Sequence, residues 1–308
     1  QAKGRRTNVR LAALAWPFKD SKAKKLLGEL KQCKDAISLA LTTESVRDTK
    51  AIFAALTEMQ RQEIYNWLHA TDPSTLHHQA CDRYESGTGD CVLRLDQWKA
   101  WLEGSSRSIW IRGIPGASKT ILVSHLATAL KACCGGTDNI SLHYYCFYNH
   151  FQDEAMPFLK WILNQLCRRA GEIPTYLYEL YSQGSEPSLG DLLKAVEETV
   201  KEYDRIFVVV DAVDESMPRE NILKVIRDFA TDERFQNVHI LVTSRDYIDV
   251  EDVMFGISTT LWMSDPLLDD DIKLFVRSKL DTHPRIKNWP PNLKEDVFLA
   301  LSAKAKGM

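Results

Sequence analysis

Ser108-Ile109-Trp110-Ile111-Arg112 is followed by Gly113-Ile114-Pro115-Gly116-Ala117-Ser118-Lys119-Thr120 and then by an apolar stretch from Ile121 to Leu130. A buried strand, a tight loop and a helix in that order leave few folds open. The loop N–H groups and the helix N-terminus all converge on one anion-sized space. The pattern G-x-x-x-x-G-K-[ST] needs glycine where backbone meets phosphate, a Lys for the terminal phosphates and a hydroxyl for magnesium. Gly113, Gly116, Lys119 and Thr120 supply those parts, and Ala117 and Ser118 complete the phosphate-facing backbone. Ser118 stands where the pattern has its final glycine.

Two later segments strengthen this reading. From Arg205 the apolar run Ile206 to Val210 leads into Asp211-Ala212-Val213-Asp214-Glu215, as suits a central parallel strand delivering carboxylates at its C-terminal edge. Ligands of open α/β sheets bind at that edge. Val238 to Ser244 is a third such strand and ends in Thr243-Ser244-Arg245. Asp211 is expected at the magnesium, together with Thr120. Asp214 or Glu215 would orient or deprotonate an attacking water, and Thr243 and Arg245 would sense the terminal phosphate. The plainer alternatives are that the two acids open a loop or cap the next helix, and that Arg245 is a surface residue. His77, His78 and Cys81 invite a metal reading but lack a fourth ligand at usable spacing, so loop residues are the better reading.

The chain of 308 residues is 44% hydrophobic and 26% charged, which is ordinary for a globular protein. No apolar stretch approaches the ~20 residues of a membrane-spanning helix and no signal peptide opens the chain, so a cytoplasmic location is expected. Seven cysteines without a C-x-x-C pair point to reduced thiols. Residues 1–50 hold twelve Lys/Arg against five Asp/Glu within an overall charge of -3. A solvated helix face explains that excess more simply than a patch for nucleic acid or anionic lipid, and nucleic acid is not expected as a partner. The start at Gln1 and the stop at Gly307-Met308 suggest a fragment of something longer.

Periodicity predicts helices over Asp20–Leu41 and Val46–Leu68, then a polar linker from Thr71 to Gly89 ending in a tight turn. Cys91–Leu95 is compatible with a small strand, and Asp96 with the cap of a helix carrying Trp98 and Trp101. After the loop helix, a strand over Ile140–Tyr148 and helices over Met156–Arg169, Leu189–Tyr203 and Arg219–Phe229 alternate with the two strands above. That is a βαβ series and predicts a parallel sheet flanked by helices. Ile257–Met263 would be an edge strand, with helices over Leu267–Leu280 and Leu293–Lys304.

With those residues placed, the chain resembles the NACHT branch of the STAND P-loop NTPases, most closely the large fungal members, NLR-like proteins that include heterokaryon-incompatibility factors and ankyrin- or WD-repeat proteins. The family's Gly-Ile-Pro-Gly-x-Gly-Lys-Thr is similar to Gly113–Thr120, its Asp-Ala-x-Asp-Glu to Asp211–Glu215 and its Thr-Ser-Arg to Thr243–Arg245. Trp67-Leu68, Gly87-Thr88-Gly89 and Trp101-Leu102 resemble the lead-in to the loop. Trp16-Pro17-Phe18 resembles the helical N-terminal region, and Asp270-Asp271-Ile272 to Val276 the first helical subdomain.

The resemblance implies an α/β P-loop NTPase with an α-helical N-terminal region and the start of a C-terminal helical subdomain. The expected boundaries are a lead-in over 1–16, helices over 17–70, a linker over 71–107, the nucleotide domain over 108–263 and the truncated subdomain over 264–308. It implies a signalling switch that binds ATP or GTP with Mg²⁺, hydrolyses it slowly and self-associates through the nucleotide domain. The N-terminal helices would contact an effector or another protein. Ser118 favours a different outcome, a degenerate P-loop domain acting as a non-hydrolysing scaffold, because a side chain restricts the backbone freedom that glycine gives. A small-molecule kinase would need an acceptor-site motif that the sequence does not display.

Overall fold

The computed structural model describes residues 25–35, 57–69, 71–134, 139–263 and 266–304. Expectations for the lead-in, for Trp16-Pro17-Phe18 and for the outer parts of the two N-terminal helices fall outside the described residues. The chain divides into two compact units, Gln1–Glu63 and Ile64–Met308. In the first, residues 25–35 form helix α1, with Leu26, Leu27 and Leu30 exposed. Helix α2 spans residues 57–68, and its last turn buries Ile64, Tyr65 and Leu68.

The second unit holds strands β1 (Ser108–Arg112), β2 (Asn139–Tyr145), β3 (Arg205–Asp211), β4 (Val238–Ser244) and β5 (Thr259–Trp262). They form one sheet in the order β2-β3-β4-β1-β5, and every pairing is parallel. Its helices are α3 (Ser74–Arg83), α4 (Asp90–Arg94), α5 (Asp96–Glu103), α6 (Lys119–Cys133), α7 (Ala155–Ala170), α8 (Thr175–Ser182), α9 (Leu189–Val200), α10 (Glu220–Thr231), α11 (Ile248–Met254), α12 (Pro266–Thr282) and α13 (Pro291–Lys304). The α/β class expected from the alternating pattern is the class observed.

Side chains alternate across a strand, so each strand feeds two cores. Trp110, Val208, Val210, Ile240 and Val242 pack with α7, α9, α10 and α11 on one face. Ile109, Ile111, Phe207, Val209 and Leu241 pack with α5 and α6 on the other. Full burial on both faces explains why these strands read as unbroken apolar runs. The same parity assigns the polar strand ends. Asp211 follows Val209 and Thr243 follows Leu241 onto the face of the loop helix, while Arg112 and Ser244 follow Trp110 and Val242 onto the opposite face.

Three local readings are corrected. The segment read as a linker contains α3, a polar helix that buries Ala80 alone and is held by tertiary contacts. Cys91–Leu95 is not a strand: Gly89 at φ +79 turns the chain into α4, where Val92 is buried. Five residues are too few for alternation to separate the two periods. Asp96 begins α5 as its first residue, and Leu95, not Asp96, is the N-cap. Helix α8, which the sequence reading passed over, follows Pro174 and buries Leu177 and Leu180.

Candidate functional site

The loop between β1 and α6 is fixed at both ends. Gly113 N–H donates to the Ser244 carbonyl at 3.3 Å, and a Cβ on Gly113 would lie 2.9 Å from Met263 Cβ. Glycine is required there for close approach. Gly116 has φ +84 and Ser118 φ +55, ψ +27, so Ser118, standing where the pattern has glycine, takes a left-handed backbone that glycine adopts without strain. For an L-residue that conformation costs roughly 1–2 kcal/mol. Lys119 opens α6, and its Nζ donates to the carbonyls of Gly113 at 2.7 Å and Ile114 at 3.0 Å. Burial lowers the proton affinity of this ammonium, while Asp214 and Asp211 raise it through space.

At the foot of the loop, Thr243 Oγ1 donates to Asp211 Oδ1 at 2.5 Å and accepts the Ala212 N–H at 2.9 Å. Burial pushes the Asp211 carboxyl up to about 6, against hydrogen bonds from the Thr243 and Thr120 hydroxyls that pull it down. Ala212 has φ +54, a strained backbone next to this carboxylate. Asp214 and Glu215 lie in a short 3₁₀ turn, and α10 begins only at Glu220, so neither acid caps it. Asp214 accepts the Arg245 N–H at 3.1 Å and lies 3.4 Å from Nε of the same guanidinium. Glu215 accepts from Arg245 at 3.1 Å and from the Tyr148 N–H at 3.1 Å. Lys119, Thr120, Asp211, Asp214, Glu215, Thr243 and Arg245 therefore gather at one sheet edge from three chain segments.

Among the described residues no group of three His, Cys, Asp or Glu side chains converges as a metal cage. A cation here would be shared between Asp211, the Thr120 hydroxyl and the oxygens of its ligand. That oxygen set suits magnesium, which keeps few protein ligands. His77, His78 and Cys81 lie on α3, not in a loop. His77 Nδ1 is 2.9 Å from the Tyr145 hydroxyl, its ring stacks on His143 at 4.1 Å, and its Nε2 is 3.6 Å from Cys81 Sγ.

The sequence reading missed the wall beside the loop. A cavity of about 780 Å³ lies between Ala117, Ser118, Ile121 and Leu122, the turn from Tyr84 to Gly89, and Ile272, Phe275 and Val276 of α12. Asp271 Oδ2 accepts the Gly89 N–H at 2.7 Å, and Glu85 binds Lys279 at 2.7 Å and Ser278 at 2.5 Å. The run Glu85–Asp90 carried a turn signal, but nothing in it announced that α12, about 180 residues on, would be its partner. A second omission is Arg112, a buried arginine at the end of β1.

The family model described as nephrocystin 3, N-terminal, matches residues 87–245. No curated protein matches the chain. Among solved structures, Cdc6p from Pyrobaculum aerophilum is 13% identical at a TM-score of 0.42, covering 68% of this chain and 53% of that one. A Walker-type ATPase of Pyrococcus abyssi is 12% identical at 0.40, covering 67% and 60%. PCH-2 of C. elegans is 15% identical at 0.35, covering 80% and 58%. The chain spans between 53% and 60% of the length of these three structures. Among the described residues no helix is long and apolar enough to cross a membrane.

Proposed function

The chain belongs to the nephrocystin 3 N-terminal family, its fold is that of a P-loop NTPase, and we propose that it binds ATP or GTP with Mg²⁺ and hydrolyses it slowly. The observation that carries this reading is the Asp211 carboxylate with the Thr120 and Thr243 hydroxyls hydrogen-bonded to it, below the loop that ends in Lys119. Gly113 and Ala117, whose N–H groups are engaged by the Ser244 and Ile114 carbonyls, would shape the loop, Gly116 and Ser118 would present backbone N–H groups to phosphate oxygens, and Lys119 would leave its two loop carbonyls for the terminal phosphates. Thr120 and Asp211 would hold the magnesium, which neutralises phosphate charge when bound. Glu215 or Asp214 would take the proton of the attacking water, and Arg245, held by both acids, would face the charge that develops on the terminal phosphate. The apolar cavity beside Ser118 is the place for the nucleoside.

The finer reading is a cytoplasmic switch module of an NLR-like NACHT protein of the fungal kind, self-associating through the nucleotide domain and reaching an effector through its N-terminal helices. Motif spacing supports it, together with the ties between α12 and the Tyr84–Gly89 turn. Lys119 bound to its own loop favours a second reading, a non-hydrolysing scaffold. Titration of the chain with labelled ATP and GTP plus Mg²⁺, beside Lys119→Ala, separates the two. Saturable binding lost in the variant, with slow phosphate release, supports the switch. No binding by either protein leaves the scaffold.

A further inference from the structure

Arg112 is the last residue of β1 and only 6% exposed. Its Nε lies 2.6 Å from Asp246 Oδ1 and its Nη1 3.0 Å from Glu251 Oε1. The guanidinium carbon lies 4.4 Å from the ring centre of Trp110 and 3.8 Å from that of Trp262. Sealed by two indoles and two carboxylates, this cation is not placed to touch a phosphate. A buried charge nevertheless costs folding free energy, and an apolar side chain between two tryptophans would fill the space without that cost.

The neighbours of Arg112 suggest what the charge does. Gly113, the first loop residue, follows it directly, and Asp246 directly follows Arg245. Asp246 acts through space on Lys119. Asp211, Asp214 and Glu215 already crowd this edge with negative charge, and Asp246 would add to it where a polyanion must bind. Without a counter-charge its carboxylate would repel terminal phosphates and draw Lys119 and Arg245 toward itself.

Resting on the nucleotide-binding reading above, we propose that Arg112 is a positioning residue. Held between Trp110 and Trp262 and shared with Glu251, its charge offsets that of Asp246 beside the phosphate site. The effect is largest for the ligand with the most phosphate charge, so Arg112 favours triphosphate over diphosphate.

Mg²⁺-ATP, Mg²⁺-GTP and the matching diphosphates are titrated into the wild type, Arg112→Met, Asp246→Asn and the double variant. Arg112→Met is expected to lose about tenfold in triphosphate affinity and less than about threefold in diphosphate affinity. The double variant is expected to return to within about threefold of wild type, a rescue that a purely structural arginine would not permit. Asp246→Asn alone alters a half-exposed side chain and tests the idea even if Arg112→Met does not fold. It is expected to bind triphosphate at least as tightly as wild type, and weaker binding overturns the proposal. Equal losses for both ligands, unrescued by Asp246→Asn, also overturn it. A wild type that binds no nucleotide sinks the nucleotide reading and this one with it, whereas wild-type binding matched by Arg112→Met sinks only this one.

Discussion

The Thr243 hydroxyl joins two strands by a single atom, donating to Asp211 Oδ1 at 2.5 Å while accepting the Ala212 N–H at 2.9 Å. It therefore fixes both the direction of the carboxylate and the strained turn that follows it. Thr243→Val keeps the shape and deletes both bonds, leaving a buried donor and acceptor unpaired. A loss of about 1–3 kcal/mol is expected in urea unfolding, with weaker magnesium dependence of nucleotide binding. Unchanged stability would show that the bridge is dispensable.

Asp211 is 2% exposed and titrates at about 6 in the folded chain against 3.8 as a free side chain. Its ionised form thus destabilises the fold at neutral pH, by an amount on the order of 3 kcal/mol. Asp211→Asn should raise the melting temperature at pH 8 and abolish magnesium-dependent nucleotide binding. A variant that melts lower while still binding would contradict both halves of the argument.

Ser118→Gly relieves a left-handed serine but gives the unfolded chain more freedom, and the two effects nearly cancel, leaving stability within about 1 kcal/mol of wild type. Nucleotide affinity should rise, because phosphate gains room beside the loop. Calorimetric titration of both proteins decides this, and equal affinities would mean that Ser118 does not impair the loop.

Burial, reinforced by the charge of His77, pushes His143 down to about 4 from 6.5. The unfolded chain takes up this proton first as the solution is acidified. The stability tied to His143 is therefore complete above about pH 6.5 and is lost as pH falls toward 4. The loss amounts to about 2 kcal/mol after allowance for partial exposure. His143→Gln should flatten the stability profile across that window, and parallel profiles for the two proteins would assign the acid sensitivity elsewhere.

The strands and their chemical ends were legible because burial on both faces writes itself as continuous apolar sequence, and the acids, Thr243 and Arg245 stand at fixed offsets from those runs. Helix α3 was not, since Ser74–Arg83 carries little apolar periodicity and takes its order from contacts such as His77 with Tyr145. Nor was Arg112, whose partners Asp246 and Glu251 lie 134 and 139 positions away. Only the pairing of β1 with β4 brings them together. Ser118 was legible as a departure from the pattern, while the backbone it would adopt was not.

Strand β5 pairs Trp262 with Arg112, and Met263 then donates its N–H to the Arg112 carbonyl at 2.9 Å, against Gly113. Only three residues separate Trp262 from Pro266, where α12 starts. At no more than ~3.6 Å per residue, so short a tether has little slack. The start of α12 therefore stays within about 14 Å of Trp262, and so near the strand that leads into the loop, whatever becomes of the Asp271 and Glu85 contacts.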